Sequence, residues 1–172
     1  MAQALHWLMA VAIFALYGLG LWIDELTYGH PLYQTLPEWH EGIGLILVVL
    51  LAGRFIWRLV NMEPDDTDMK PLERRAARVV HWGFYPLILA VLVSGYLIST
   101  ADGRAISLFG WFDVPATLTG RGQEDLAGDI HEILADVIIA LAAVHAVAAL
   151  KHHIIDGGRS LRRMLPTRAT HE

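Results

Sequence analysis

His131 and His145 stand fourteen residues apart in one apolar stretch, and three earlier apolar stretches each carry a histidine near one end: His6, His40 and His81. Fourteen residues make close to four turns of α-helix, so the two imidazoles share nearly one face and lie about 21 Å apart along its axis. Ionisable side chains inside a bilayer are costly and therefore usually functional, and imidazole is a common axial ligand of haem iron. The spacing suits two haems stacked across a membrane, one in each leaflet. With both axial positions of each iron filled by imidazole there is no open site for oxygen, which leaves one-electron transfer as the natural chemistry.

Elements that can position such residues are visible in the hydropathy pattern. The chain has 172 residues, 55% of them apolar. The apolar residues cluster in segments 4–23, 42–60, 79–99 and 126–150, each long enough for a hydrocarbon core of about 30 Å at a rise of about 1.5 Å per residue. The expectation is an all-α, four-helix transmembrane bundle. It forms a single integral-membrane domain over residues 1–172, with helices at about 4–23, 37–60, 72–99 and 124–152. Arg54 and Arg58 interrupt the second span near its end, where long cationic side chains can snorkel. The first span begins too near the N-terminus for a charged leader region and has no small-residue cleavage site after it, so it reads as a retained helix. Absence of cysteine excludes disulfides, covalent haem attachment and iron–sulfur ligation by this chain. Any haem must therefore be held by histidine.

Basic residues orient the bundle. Of thirteen Lys and Arg, Arg54, Arg58, Lys70, Arg74, Arg75 and Arg78 lie around the connection between helices two and three. Lys151, Arg159, Arg162, Arg163 and Arg168 follow helix four, and only Arg104 and Arg121 fall on the other side. The positive-inside rule places both termini in the cytoplasm. Trp22, Trp39 and Trp111 then fall at the outer interface, and Trp7, Trp57 and Trp82 at the inner one. Residues 100–123, where Gly, Pro and aromatics interleave, read as a cap on the outer face. No nucleic-acid partner is expected of a membrane chain with net charge −5.

Depth now sorts the histidines. His40 and His131 are both outer and pair with each other; His145 is inner and is matched by either His6 or His81. Pro37 suits the first turn of helix two, and Glu124 and Asp129 suit the N-terminal end of helix four. Arg54, Arg58 and Arg78 lie near the inner haem, where guanidinium groups can pair with propionates through bidentate hydrogen bonds. Gly18, Gly42, Gly44 and Gly95 read as points of close helix approach. His30 and His171, in a loop and a tail, receive no role.

Several ordered segments carry a resemblance. Leu5-His-Trp-Leu-Met-Ala10, His40-Glu-Gly-Ile-Gly44 with Gly53-Arg-Phe-Ile-Trp-Arg58, His81-Trp-Gly-Phe-Tyr85, and His145-Ala-Val-Ala-Ala-Leu-Lys-His-His153 with Leu161-Arg-Arg-Met-Leu-Pro166 resemble the bacterial cytochrome b561 family. That family includes the superoxide oxidases and is related to the cytochrome b subunits of hydrogenases and formate dehydrogenases. The resemblance implies two b haems, the inner one on His6 and His145, the outer one on His40 and His131, with His81 unligated beside the inner haem. It also implies that His152 helps to bind ubiquinone, next to Lys151. Two positions depart from the pattern. Arg78 stands where a further histidine is often found, and Lys151 where tyrosine often precedes the paired histidines.

The function so implied is electron transfer across the bacterial inner membrane between ubiquinone and a periplasmic one-electron donor, with superoxide the leading candidate. The outer side carries Asp24, Glu25, Glu38, Glu41, Asp102, Asp113, Glu124, Asp125, Asp129 and Glu132 against Arg104 and Arg121. Such an acidic face equally suits a basic periplasmic electron-carrier protein. Two alternatives stand beside this reading: a relay anchor for a separate dehydrogenase or hydrogenase, and a histidine-based metal-ion or proton transporter. Internal repeats or broken helices would favour transport, and the sequence has neither.

Overall fold

The computed structural model describes residues 2–61 and 70–157. Four helices, α1 (Ala2–Asp24), α2 (Thr35–Val60), α3 (Pro71–Ser99) and α4 (Gln123–Ile154), alternate in direction, and each is long and apolar enough to cross a membrane. The expected elements agree with these to within a few residues. Arg159, Arg162, Arg163, Arg168, His171 and the motif at residues 161–166 lie outside the described residues.

Local signals explain the helix ends. Pro71 opens α3 at a position where its missing N–H costs nothing, and Glu73 follows in the first turn, where the helix dipole favours an anion. Gly122 enters α4 with φ 72°, a left-handed conformation that glycine adopts without strain. Glu124 and Asp125 occupy the first turn of α4 and Lys151, His152 and His153 its last, in the order the dipole prefers. Pro86 lies inside α3, where it removes one hydrogen bond from the ladder.

α1 packs chiefly on α2 and α3 on α4, with α2 against α3, while α1 and α4 meet along the loosest of these seams. Met9, Leu16, Leu47, Leu51, Ile88 and Ile138 form the core, one or two residues from every helix. Only 6–17% of each span's apolar window is buried, so the bulk of the apolar surface faces outward, as lipid-facing helices require. Across the loose α1–α4 seam, Tyr17 donates a 2.8 Å hydrogen bond to Asp136 Oδ1.

One end of the bundle carries the α1–α2 and α3–α4 connections and is here called the hairpin end; the other, carrying the N-terminus and the end of α4, is the terminal end. The expected cap at the hairpin end is present, with a feature the sequence reading lacked. β1 (Ile106–Ser107) and β2 (Asp113–Val114) form a two-stranded antiparallel ribbon, Ile106 opposite Val114. Phe109 and Gly110 at its tip both have positive φ, 50° and 77°, as a type I′ turn demands. The Phe109 ring lies over Gly42 of α2, where an added Cβ would come within 2.5 Å of it, and beside Trp39 at 5.2 Å between centroids. Gly42 thus admits an aromatic ring from the cap and not a neighbouring helix. Added Cβ atoms at Gly18 and Gly44 meet nothing within 4 Å, so these two do not mark close approach either. Tyr96 and Gln123 fasten the cap: the Tyr96 hydroxyl donates to Pro115 O (2.7 Å) and accepts from Thr117 N (2.9 Å), and Gln123 Nε2 donates to Leu97 O (2.9 Å) and Leu118 O (3.0 Å).

Candidate functional site

At the hairpin end His40 of α2 faces His131 of α4, with ring centroids 6.1 Å apart. His131 Nδ1 lies 2.9 Å from Val91 O and 3.2 Å from Ser94 Oγ, while the Ser94 hydroxyl itself donates to Val91 O. A carbonyl can only accept, so Nδ1 carries the hydrogen and Nε2 is left with its lone pair. This is the arrangement by which a backbone oxygen fixes the tautomer of a metal-binding imidazole. Gly95 makes room for a ring: a Cβ there would lie 3.0 Å from His131 Cε1, while one on Gly20 would only touch His40 Cε1 at 3.5 Å. His40 Nδ1 is buried and has no hydrogen-bond partner among the described residues.

This geometry fits an imidazole-ligated group. Two imidazoles on opposite sides of one metal ion, each nitrogen about 2 Å from it, keep their centroids about 6 Å apart, and His40 and His131 stand at 6.1 Å.

Three histidines gather at the terminal end. The His81 and His145 rings are 5.1 Å apart, edge to face, with Phe84 against His145 at 5.8 Å. That separation is tighter than two imidazoles on opposite sides of one metal ion require. His6 packs edge-on against Trp7 at 5.4 Å and lies within electrostatic reach of Arg54 and His145. Arg54 and Arg58 likewise act on His81. The Arg58 guanidinium lies 4.8 Å from the Trp82 ring centroid and 5.8 Å from that of Tyr85, a cation–π seat for a charge in an apolar region. Arg78 is exposed on α3. Of the three arginines expected here, two join the histidine cluster.

Beyond His145, the last turn of α4 carries a compact polar group. His152 is 6% exposed. Its Nδ1 lies 3.3 Å from Asp156 Oδ2, and its Nε2 is buried with no partner among the described residues. Lys151 Nζ donates to Asp156 Oδ2 at 2.7 Å and to Glu73 Oε1 of α3 at 3.0 Å. The hydrogen bond from Lys151 holds the Asp156 carboxyl below its ordinary range, and the one from His152 adds to this.

The sequence reading missed Val91, Ser94 and Gly20 at the hairpin end and Asp156 and Glu73 at the terminal end. The i, i+4 spacing of His152 and Asp156 was an available signal; the backbone oxygen of Val91 had none.

Four apolar spans, with paired imidazoles at one end and a histidine–arginine cluster at the other, define a multi-pass helical membrane protein. The chain belongs to the prokaryotic cytochrome b561 family, whose model matches residues 1–167. It is 45% identical over 166 residues to cytochrome b561 homolog 2 of Escherichia coli K12, covering 95% of this chain and 88% of that one. To cytochrome b561 homolog 1 of the same organism it is 31% identical over 168 residues, 95% and 94% of the two chains. A probable superoxide oxidase of Yersinia pestis, CybB, is 26% identical over 164 residues, 94% and 92% of the two chains. The protein is thus a bacterial multi-pass membrane electron carrier of the oxidoreductase type, and the family implies haem b.

Proposed function

We propose that the protein binds two b haems, one between His40 and His131 and one between His6 and His145, and carries electrons across the bacterial inner membrane to ubiquinone. The observation that carries this reading is the hairpin-end pair: two imidazoles 6.1 Å apart, one of them with Nδ1 tied to Val91 O so that Nε2 is its free nitrogen. The short His81–His145 contact supports His6 over His81 as the partner of His145. The b haem supplies reversible one-electron transfer when bound. The chain's own residues orient it: His131 through its backbone hydrogen bond, Arg54 and Arg58 as cations beside the terminal-end group, and Phe109 with Trp39 as a screen against water at the hairpin end.

With both termini cytoplasmic, the hairpin end faces the periplasm. Superoxide is the leading donor there, a reading supported by the resemblance to a probable superoxide oxidase. His152 receives ubiquinone at the terminal end, where an imidazole can accept or donate a hydrogen bond. Lys151 stands beside it. A second reading of the donor has one observation in its favour: Arg104 is engaged by Asp102 (3.9 Å) and Glu41 (3.4 Å), which leaves the periplasmic face acidic and suited to a basic carrier protein. The test is anaerobic addition of superoxide, then of ubiquinone, to the purified oxidised haem-loaded protein while the haem spectrum is followed. Haem reduction by superoxide and reoxidation by ubiquinone are expected. A spectrum inert to superoxide and responsive to a basic cytochrome selects the second donor.

A further inference from the structure

Where Lys151, His152, Asp156 and Glu73 meet, one atom is anomalous. A buried imidazole nitrogen normally has a partner, yet His152 Nε2 is buried with none among the described residues while Nδ1 faces Asp156 Oδ2 at 3.3 Å. Since a carboxylate only accepts, the hydrogen of the neutral ring sits on Nδ1 and the lone pair of Nε2 is presented away from Asp156. Glu73, His152 and Asp156 also lie close enough to share a metal ion. The Lys151 ammonium, at 2.7 Å from Asp156 and 3.0 Å from Glu73, already supplies the positive charge between those carboxylates and would repel another cation.

We infer that Asp156 is a positioning residue of the quinone site: by accepting the Nδ1 hydrogen of His152 it fixes the ring and aims Nε2 at the quinone oxygen, while Lys151 anchors Asp156 to Glu73 of α3. This rests on the placement of ubiquinone at His152. Nε2 accepts a hydrogen bond from the quinol hydroxyl and, when protonated, donates one to the quinone carbonyl. Asp156 touches neither and acts through the imidazole alone. The Lys151 bridge gives it a fixed seat, because it ties the segment just past α4 to the first turn of α3.

The test uses the full-length haem-loaded protein, reduced and then mixed with ubiquinone-1, with haem oxidation followed by absorbance. His152→Ala slows oxidation at least about tenfold with both haem spectra intact, and Asp156→Asn slows it about fivefold, on the order of one hydrogen bond. Asp156→Glu, which keeps the carboxylate, recovers most of the rate. The double variant His152→Ala/Asp156→Asn is no slower than His152→Ala alone, because Asp156 has no other route to the quinone. A normal rate in His152→Ala overturns the quinone placement itself. A slow His152→Ala with a normal Asp156→Asn, or losses that multiply in the double variant, overturns the positioning role and leaves the placement standing. Nitrogen-15 spectra of the reduced wild-type protein, with the His152 signals identified by their loss in His152→Gln, give a readout independent of turnover. They show hydrogen on Nδ1 of the neutral ring; hydrogen on Nε2 overturns the inference even if Asp156→Asn fails to fold.

Discussion

At the hairpin end the His131 imidazole is held by a backbone oxygen, a serine hydroxyl and the space a glycine leaves, and it faces a single partner across 6.1 Å. Ring packing and nearby arginines hold the imidazoles at the terminal end, where His81 and His145 touch at 5.1 Å and His6 stands near His145. The contrast separates two ways of holding an imidazole. Where hydrogen bonding fixes the tautomer, geometry alone picks out the nitrogen that keeps its lone pair. Where three imidazoles share a pocket, the choice among them depends on which separation the bound group tolerates.

The largest expected effect removes one arm of the hairpin-end pair. His40→Ala and His131→Ala each leave about half of the haem, since low-spin iron needs both imidazoles, as read by haem absorbance per mole of protein. Two low-spin haems in either variant would break the comparison at its better-defined end. The terminal end is sharpened by a matched pair of variants. His6→Ala loses the haem at that end and His81→Ala keeps it; the opposite pattern in haem content shows that the 5.1 Å contact opens to admit the group.

A smaller effect comes from the glycines. Gly95→Ala places a methyl group 3.0 Å from His131 Cε1 and destabilises the loaded protein by about 1–3 kcal/mol, as overpacking does, with a shifted spectrum of one haem only. Gly18→Ala, whose methyl meets nothing within 4 Å, leaves melting temperature and spectrum near wild type. An equal loss from the two substitutions would show that Gly95 serves helix packing in general. Smallest of all is the electrostatic effect on the donor. With superoxide as donor, Arg121→Glu slows haem reduction a few-fold and added salt slows the wild type, because screening weakens the steering of an anion. A wild-type rate that rises with salt instead marks repulsion by the acidic face and points to the basic carrier.

How much of this the sequence discloses depends on the kind of interaction. The four spans were legible because the cost of unpaired backbone in lipid forces long apolar helices, and the depth of each histidine followed from helical rise. That His40 and His131 would face each other was legible for the same reason. The sequence left His6 and His81 as alternatives opposite His145, since both enter the bundle at one depth. Phe109 over Gly42 also lay beyond reach: a strained aromatic at a hairpin tip pairs with a glycine far away in sequence, and nothing in either neighbourhood announces the other. Asp156 lay within reach, four residues past His152 on the same helical face.

The hydrogen bond from Tyr17 to Asp136 joins the first helix to the last, and this has a bearing on biogenesis. Spans enter the membrane in the order of synthesis, so Tyr17 is embedded long before Asp136 leaves the ribosome. An aspartate near the middle of a span costs the insertion machinery about 2.5–3.5 kcal/mol, a penalty that the strongly apolar remainder of α4 offsets. Until α4 arrives, the Tyr17 hydroxyl waits for its acceptor in lipid. The bond therefore forms only when translation of all four spans is complete, and it closes the ring of helices at its loosest seam.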